Sequence, residues 1–214
     1  MVIEDAWPLF ALELRSPNLR LRVVRDDDLP GLLAAVRAGI HDPAVMPFGV
    51  PWTDAEPDDL RRSFVQYQWT KRSKLRTGTW DLSLTVLLGD TPIGIQDISA
   101  SELRTRKTVT TGSWLTRAQQ GLGIGKEMRA ATLMFAFDHL GAEVAESSAA
   151  TWNRASLGVS RALGYEHNGQ SRTVSRPGEA QTEQRVRLDR QAFRRPTWTL
   201  ATSGLGRALP ELLD

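Results

Sequence analysis

Cysteine is absent from the 214 residues, which excludes disulfides and thiolate metal sites. Only three histidines occur, His41, His139 and His167. They are scattered without metal-ligand spacing, so no metal is expected, and no Ser/His/Asp order points to hydrolysis. No run is long and apolar enough to span a membrane, and the acidic N-terminus has no readable signal peptide. The expectation is a cytoplasmic protein with no membrane partner. Internal repeats and low-complexity linkers are also missing. The bases form no coherent patch with a recognisable module, so nucleic acid is not expected as a partner.

What is present suits one domain. At 214 residues the chain can bury roughly two-thirds or more of its unfolded surface, and its 41% hydrophobic and 24% charged content are those of an ordinary globule. Net charge is only +2, but it is unevenly spread. Residues 1–60 hold eleven acids against five arginines, residues 61–76 six bases and no acid, and residues 171–195 seven arginines against three acids. Solvated faces account for this pattern. A second reading has bases holding a polyanionic cofactor while acids attract a cationic substrate.

Along the chain, Asn18 to Arg25 alternates as a strand with one face toward a core. Asp26-Asp27-Asp28 then predicts a helix start, with Leu29, Leu32, Leu33 and Val36 at helical spacing before Gly39. The segment His41 to Trp52 carries Pro43, Pro47 and Pro51 among apolar residues, which predicts a packed, ordered loop. A second helix is expected from Thr53 to Arg76, capped by Thr53 or Asp54. Strands follow at Trp80 to Leu88 and Pro92 to Ser99, joined by the turn Gly89-Asp90-Thr91, and then at Thr108 to Leu115. The helix Lys126 to Leu140 is apolar over a wide arc. Val144 to Ala149 reads as a strand, and Asn153 to Leu163 as a helix with Asn153 as N-cap and Gly164 as stop. Closing strands are expected at Gln170 to Ser175 and Gln184 to Asp189. Residues 196–214 form a tail without a readable structure.

The chain is organised around Trp114-Leu115-Thr116-Arg117-Ala118-Gln119-Gln120-Gly121-Leu122-Gly123-Ile124-Gly125-Lys126. Glycines alternate where the chain must turn from strand to helix. Glycine permits positive φ and close approach of an anion. The free N–H groups and the helix dipole behind them make a phosphate cradle. A Walker A loop would place its first glycine on Gln120 and its Ser/Thr on Glu127, and it fails twice. A dinucleotide fingerprint would need a glycine at Lys126, and the preceding strand is polar and alternating, not an apolar buried parallel strand. An ordinary glycine-rich turn remains open on these residues alone.

The spacing Gln120-x-x-Gly123-x-Gly125, strand before and helix after, resembles the acyl-CoA pyrophosphate loop of the GCN5-related N-acetyltransferases (GNAT). About thirty residues later, Asn153-Arg154-Ala155-Ser156 through Leu163-Gly164-Tyr165 resembles the Asn-x-x-Ser…Leu-Gly-Phe/Tyr helix of that family. Ser156 at the fourth position, with Ser16-Pro17-Asn18-Leu19-Arg20-Leu21-Arg22, looks like the RimJ/RimL branch, whose members acetylate ribosomal-protein N-termini or small amines. The resemblance covers about residues 16–190. It implies an α/β (α+β) GNAT fold, occupying residues 1–195 as a single acyltransferase domain, with the 196–214 tail outside it. A mixed, mostly antiparallel sheet of six or seven strands would carry helices on both faces, with a split between the fourth and fifth strands.

The same resemblance implies acetyl-CoA or another acyl-CoA as co-substrate and an amine acceptor, either a small molecule or a peptide N-terminus. A homodimer is compatible with it. Pantetheine would pair with Trp114, Leu115 and Thr116. Pyrophosphate would sit on the amides of Gln120, Gly121, Leu122, Gly123, Ile124, Gly125 and Lys126. Asn153 would lie against pantetheine and Ser156 near the thioester sulfur. The tyrosine that commonly protonates the departing thiolate aligns with Ser160, which leaves Ser156 as the candidate acid, with a helix hydroxyl bonded to a preceding carbonyl as its plain reading. No acid lies on the strand Thr108 to Leu115, so His41 is the candidate base. Phe48 and Trp52 are expected to wall the acceptor site, with Asp42, Asp54 and Glu56 attracting the ammonium; in the plain reading these aromatics only cap the sheet. His139 and Tyr165 are expected in packing roles. The residues in the 61–76 basic run are candidates for holding a dicarboxylic acyl group such as succinyl. The competing classes are a non-catalytic acyl-CoA sensor and a nucleotide-dependent oxidoreductase.

Overall fold

The structure, a computed structural model, describes residues 2–213. The helix α1 (Ile3–Ala6) and the short strand β1 (Glu13–Arg15) lead into β2 (Leu19–Val23). Leu19, Leu21 and Val23 are buried, and the intervening Arg20 and Arg22 are partly exposed, as the alternation predicts. The three aspartates form one 3₁₀ turn, and α2 (Leu29–Arg37) starts after them with Pro30 in its first turn. Asp28 is buried and accepts from Arg22 at 2.6 Å, from the Arg25 N–H at 3.0 Å and from the Thr85 hydroxyl at 2.9 Å. Its charge therefore ties β2 and β3 to the helix start.

Helix α3 spans Pro57–Ser73, four residues later than the sequence pattern suggests. Pro57 sets the boundary: it has no N–H to lose in a first turn, and it disfavours helical backbone at Glu56. Neither Thr53 nor Asp54 caps it; both lie in a separate 3₁₀ turn, Trp52–Asp54. There follow β3 (Trp80–Leu88), β4 (Thr91–Ala100), α4 (Leu103–Arg106), β5 (Thr108–Leu115), α5 (Ile124–His139), β6 (Val144–Ala150) and α6 (Arg154–Leu163). Helix α5 begins two residues before Lys126, which puts Gly125 inside its first turn. β7 (Glu166–Arg176) and β8 (Glu179–Asp189) make a longer hairpin than expected.

Among the described residues, nine strands form one sheet in the order β7-β8-β6-β5-β4-β3-β2-β1-β9, where β9 is Ala201–Ser203. Every pairing is antiparallel except β5 with β6. The two strands beyond the expected seven are β1 and β9, each three residues long, at one edge. Segments that short show no readable alternation. Helices cover both faces. On one side α5 buries Met128, Ala131, Leu133, Phe135 and Phe137 against Leu21, Leu84, Ile98 and Val109. On the other, α2 and α3 bury Leu32, Val36, Leu60 and Phe64 against Ile95.

The last segment is tied into the larger core. Helix α7 (Leu205–Leu212) buries Ala208 and Leu212 completely. The buried Trp80 indole donates to the Leu212 carbonyl at 3.0 Å, and the Gly78 N–H does so at 3.2 Å. The chain turns into this helix at Gly204, whose φ of 73° and contact with the Ala11 carbonyl leave no room for a side chain. Leu212→Ala is therefore expected to lower the unfolding free energy by about 2–4 kcal/mol in denaturant titration. A loosely attached tail would show no change.

Candidate functional site

β5 and β6 pair in register only from Thr108–Val144 to Thr110–Glu146. Beyond that they part: β5 continues to Leu115 bonded only to β4, and β6 continues to Ala150 bonded only to β8. At the apex of this fork the Ser147 hydroxyl donates to the Thr111 carbonyl at 2.8 Å. Backbone groups alternate along a strand. The Trp114 carbonyl points at β4, where it would meet a side chain on Gly94. The polar backbone that faces the fork therefore belongs to Ser113 and Leu115, and Trp114 is corrected in that role. The Leu115 carbonyl already accepts from the Gln120 amide at 2.9 Å, and the Thr116 N–H is spent on the Ile93 carbonyl at 2.9 Å.

At the open end of the fork lies the glycine loop. Gly121 and Gly123 sit at φ of 77° and 85°, where nothing crowds either backbone. The N–H groups of Lys126 and Glu127 both bond to the Gly123 carbonyl, at 3.0 Å each. Among the described residues, the N–H groups of Gly121, Leu122, Gly123, Ile124 and Gly125 have no acceptor. Five successive open donors, leading into the N-terminus of a sixteen-residue helix, are arranged as a helix-start anion site requires. Gln120 acts as a strut here: its amide also donates to the Ile40 carbonyl at 2.8 Å, fixing the loop to the end of α2. The Ser16-Pro17-Asn18 segment holds the other side. Glu127 accepts from the Ser16 hydroxyl at 2.7 Å, the Asn18 N–H at 2.8 Å and the Asn18 amide at 3.0 Å.

Two cavities meet at the fork. One, of about 490 Å³, runs over Gly121, Gly123, Gly125, Lys126, Arg129 and Asn153 on the α5–α6 side. The other, of about 510 Å³, is walled by Phe48, Trp52, Phe64, Tyr67, Asp97 and Trp114 on the α2–α3 side. Both open onto Phe48, Gly112, Ser113 and Trp114. Phe48, Trp52, Phe64 and Trp114 form a run of ring contacts with centroids 5.4 to 6.5 Å apart. Asn153 caps α6, its side chain accepting from the Ser156 N–H at 3.1 Å. The Ser156 hydroxyl lines the first cavity and has no hydrogen-bond partner among the described residues, so it is not bonded back to its helix. Ser160 is, with its hydroxyl on the Ser156 carbonyl at 3.2 Å. Leu122 and Ile124 touch neither cavity with their side chains, and Leu122 is exposed.

His41 lines neither cavity. Its Nδ1 lies 2.8 Å from the Asp42 carbonyl and its Nε2 2.8 Å from the Thr53 hydroxyl, so the lone pair a base would use is already engaged. The geometry gives it no base role. The three expected acids are also elsewhere. Asp42 accepts from the Ala44 N–H, and Asp54 is held by Arg176, whose hydrogen bonds at 2.6 and 3.1 Å keep its carboxyl below the usual range. Glu56 lies at the start of α3, outside both linings. The acid that does face the acceptor-side cavity is Asp97 on β4, missed in the sequence because it sits in a strand of ordinary alternation. Gly112, its register partner, adds no side chain over it. Asp97 accepts from Lys71 at 2.7 Å and Ser83 at 2.6 Å. Burial works against the Lys71 charge, but Asp97 and Asp81 more than offset it and hold the ammonium protonated above its usual range. Three bases of the 61–76 run are thus paired, Lys71 with these acids, Arg72 with Asp26 and Arg61 with Asp58, and none of the six lines either cavity.

Residues 18–166 match the acetyltransferase (GNAT) domain family. The chain belongs to that family. It is an N-acetyltransferase enzyme by that membership, and its fold has solved counterparts. RimJ of Mycobacterium smegmatis, solved with a CoA disulfide, superposes with a TM-score of 0.73 at 18% identity over 95% of each chain. The ribosomal L7/L12 alpha-N-protein acetyltransferase RimL, solved with coenzyme A, gives 0.65 at 18% identity over 83% of this chain and 97% of its own. A ribosomal-protein-S5-alanine acetyltransferase from Vibrio fischeri gives 0.66 at 15% identity over 85% of this chain and 98% of its own. GNAT architecture accounts for the sheet, the fork and the helices on both faces. Among the described residues no helix is long and apolar enough to cross a membrane, and no cluster of potential metal ligands occurs.

The Glu127 clamp is testable within this geometry. Glu127→Ala removes three hydrogen bonds that join the β1–β2 turn to the first turn of α5. It is expected to cost about 1–2 kcal/mol of stability, as measured by thermal or chemical unfolding. A loss below a few tenths of a kcal/mol would show that the turn is held by other contacts.

Proposed function

We propose that this protein transfers the acyl group of an acyl-CoA to a primary amine, borne by a small molecule or by a peptide N-terminus. One observation carries the reading: an anion-binding cavity and an aromatic cavity reach the same residues, Gly112 to Trp114, from opposite sides of one sheet. The pyrophosphate of CoA suits the open amides of residues 121–125, and the pantetheine arm suits the unpaired Ser113 backbone in the fork. The amine enters from the side of Phe48, Trp52 and Tyr67. There Asp97 attracts its ammonium, and it reaches the thioester once deprotonated.

The amine nitrogen attacks the thioester carbonyl, the C–S bond breaks, and the products are an amide and the CoA thiol. Holding both reactants on one strand supplies most of the acceleration, and backbone N–H groups at the fork stabilise the oxyanion. Ser156, with its free hydroxyl, is the group that gives the departing thiolate its proton. Asn153 keeps the helix carrying Ser156 in place.

Thiol release from acetyl-CoA with a panel of amines and N-terminal peptides tests the activity itself. Tight CoA binding with no turnover across that panel would favour a sensor, and NAD(P) binding without CoA binding would favour an oxidoreductase. Gly123→Val forces a β-branched residue to positive φ and fills the anion site. It should weaken CoA binding by at least about tenfold, or roughly 1.4 kcal/mol, in calorimetry. Ser156→Ala is expected to lower kcat on the order of a hundredfold with little change in the KM for acyl-CoA. Unchanged turnover would return Ser156 to a purely structural place in α6.

A further inference from the structure

Arg129 is 3% exposed, lies on α5 one turn beyond Gly125, and lines the α5–α6 cavity. Its guanidinium is always charged, yet it has no carboxylate partner among the described residues. Its contacts are two serine hydroxyls at the longest useful range: Nη2 to Ser113 at 3.3 Å and Nη1 to Ser147 at 3.4 Å. Its Nε–H is buried with no acceptor among the described residues. A buried arginine without an anion is costly, because its desolvation is not offset by an opposite charge. Other buried or half-buried cations of this chain are paired: Lys71 with Asp81 and Asp97, Arg22 with Asp28. Arg129 differs, and it differs inside the cleft.

Its place in the fork says which anion is missing. Ser113 and Ser147 stand on the two parting strands just past the apex, so Arg129 bridges the fork near its closed end. The phosphate amides lie at the open end, at the start of the same helix. A thioester arm that leaves its pyrophosphate on residues 121–125 and runs along the Ser113 edge brings its acyl group toward the apex. We propose that Arg129 receives a carboxylate carried on the far end of that acyl group, so that the preferred donor is a dicarboxylic acyl-CoA of the malonyl, succinyl or glutaryl class. This rests on the acyltransferase reading given above and names the substrate class of the same site. The reaction is otherwise unchanged: the amine takes the acyl carbon, the CoA thiol leaves, and the distal carboxylate passes intact into the amide product.

The other carboxylate at the cleft does not block this. Glu183 stands on β8 opposite Ala150, and its carboxylate is held at Ser148, whose side chain leaves β6 on the face opposite that of Ser147, the serine that Arg129 touches. It accepts from the Ser148 hydroxyl at 3.0 Å. The 61–76 basic run, the sequence's candidate for such a role, is placed elsewhere: none of its bases lines the α5–α6 cavity, and Arg61, Lys71 and Arg72 are paired with acids.

The experiment compares calorimetric binding of CoA, acetyl-CoA and succinyl-CoA, followed by thiol release with the acylated donors. The full-length wild type is expected to bind succinyl-CoA about ten- to hundredfold more tightly than acetyl-CoA, the range of one charge-assisted bidentate contact. In Arg129→Met, a replacement of similar volume that removes the buried charge, the ratio should fall to about one; in Arg129→Lys it should fall partway. Equal affinity of the wild type for both donors overturns the proposal, as does a preference that survives Arg129→Met. That wild-type comparison decides the matter even if neither variant folds. Failure of the wild type to bind CoA in any form would overturn the acyltransferase reading and this inference with it, whereas binding without donor preference removes this inference alone.

Discussion

Two parallel strands that pair over three residues and then separate leave backbone polar groups with no partner in the sheet. Such groups are costly to bury unsatisfied, at about 1–3 kcal/mol each. The rest of this molecule accommodates that break. β4 holds β5 from one side through Leu115, and β8 holds β6 from the other through Ala150, so the two halves of the sheet stay rigid while the gap between them stays open. A gap of this kind remains wet or takes a ligand with an extended polar backbone of its own. The pantetheine arm of an acyl-CoA has that character.

The elements around the fork are fixed by specific polar contacts more than by bulk burial. Glu127 ties the β1–β2 turn to the start of α5, and Gln120 ties the same loop to the end of α2. One wall of the aromatic cavity is braced by a long-range contact. Arg176, at the tip of the β7–β8 hairpin, grips Asp54 with two hydrogen bonds and the Pro43 carbonyl with a third. The hairpin thereby straps down the proline-rich segment that carries Phe48 and Trp52. Three prolines lower the entropy this segment loses on ordering, and Met46 anchors it by burial. The strap and the segment together keep a wall of the cleft in place.

Charge is distributed between structure and cleft by the same logic. Lys71 sits between Asp81 and Asp97, and Asp28 is buried against Arg22, Arg25 and Thr85. These are satisfied groups that fix helices to strands. Asp97 has a double character, since one of its oxygens is held by Lys71 and Ser83 while the residue faces the aromatic cavity. Among the described residues of the cleft, only Arg129 keeps a buried charge with an unfilled donor.

The sequence by itself determined the elements whose signals are local. Alternation marked the long strands, alternating glycines marked the turn from β5 to α5, and Asn153 and Gly164 marked the ends of α6, which begins and stops where they stand. Those features carried the family, because turn and cap chemistry depends on neighbours within a few residues. Tertiary structure alone decided the rest. β1 and β9 are too short to show a period, and β9 gains its place only by pairing with residues almost two hundred positions away. Helix α7 was unreadable because its burial depends on Trp80 and the segment near Ala11. His41 has the residue type for proton transfer, but Asp42 and Thr53 hold both its nitrogens. Asp42, Asp54 and Glu56 looked suited to an ammonium by proximity in sequence, while the acid at the cavity, Asp97, comes from another strand. Arg129 reads in sequence as one more helix arginine. Only the parting of β5 from β6, a contact between distant segments, turns it into a buried charge at the end of a cleft.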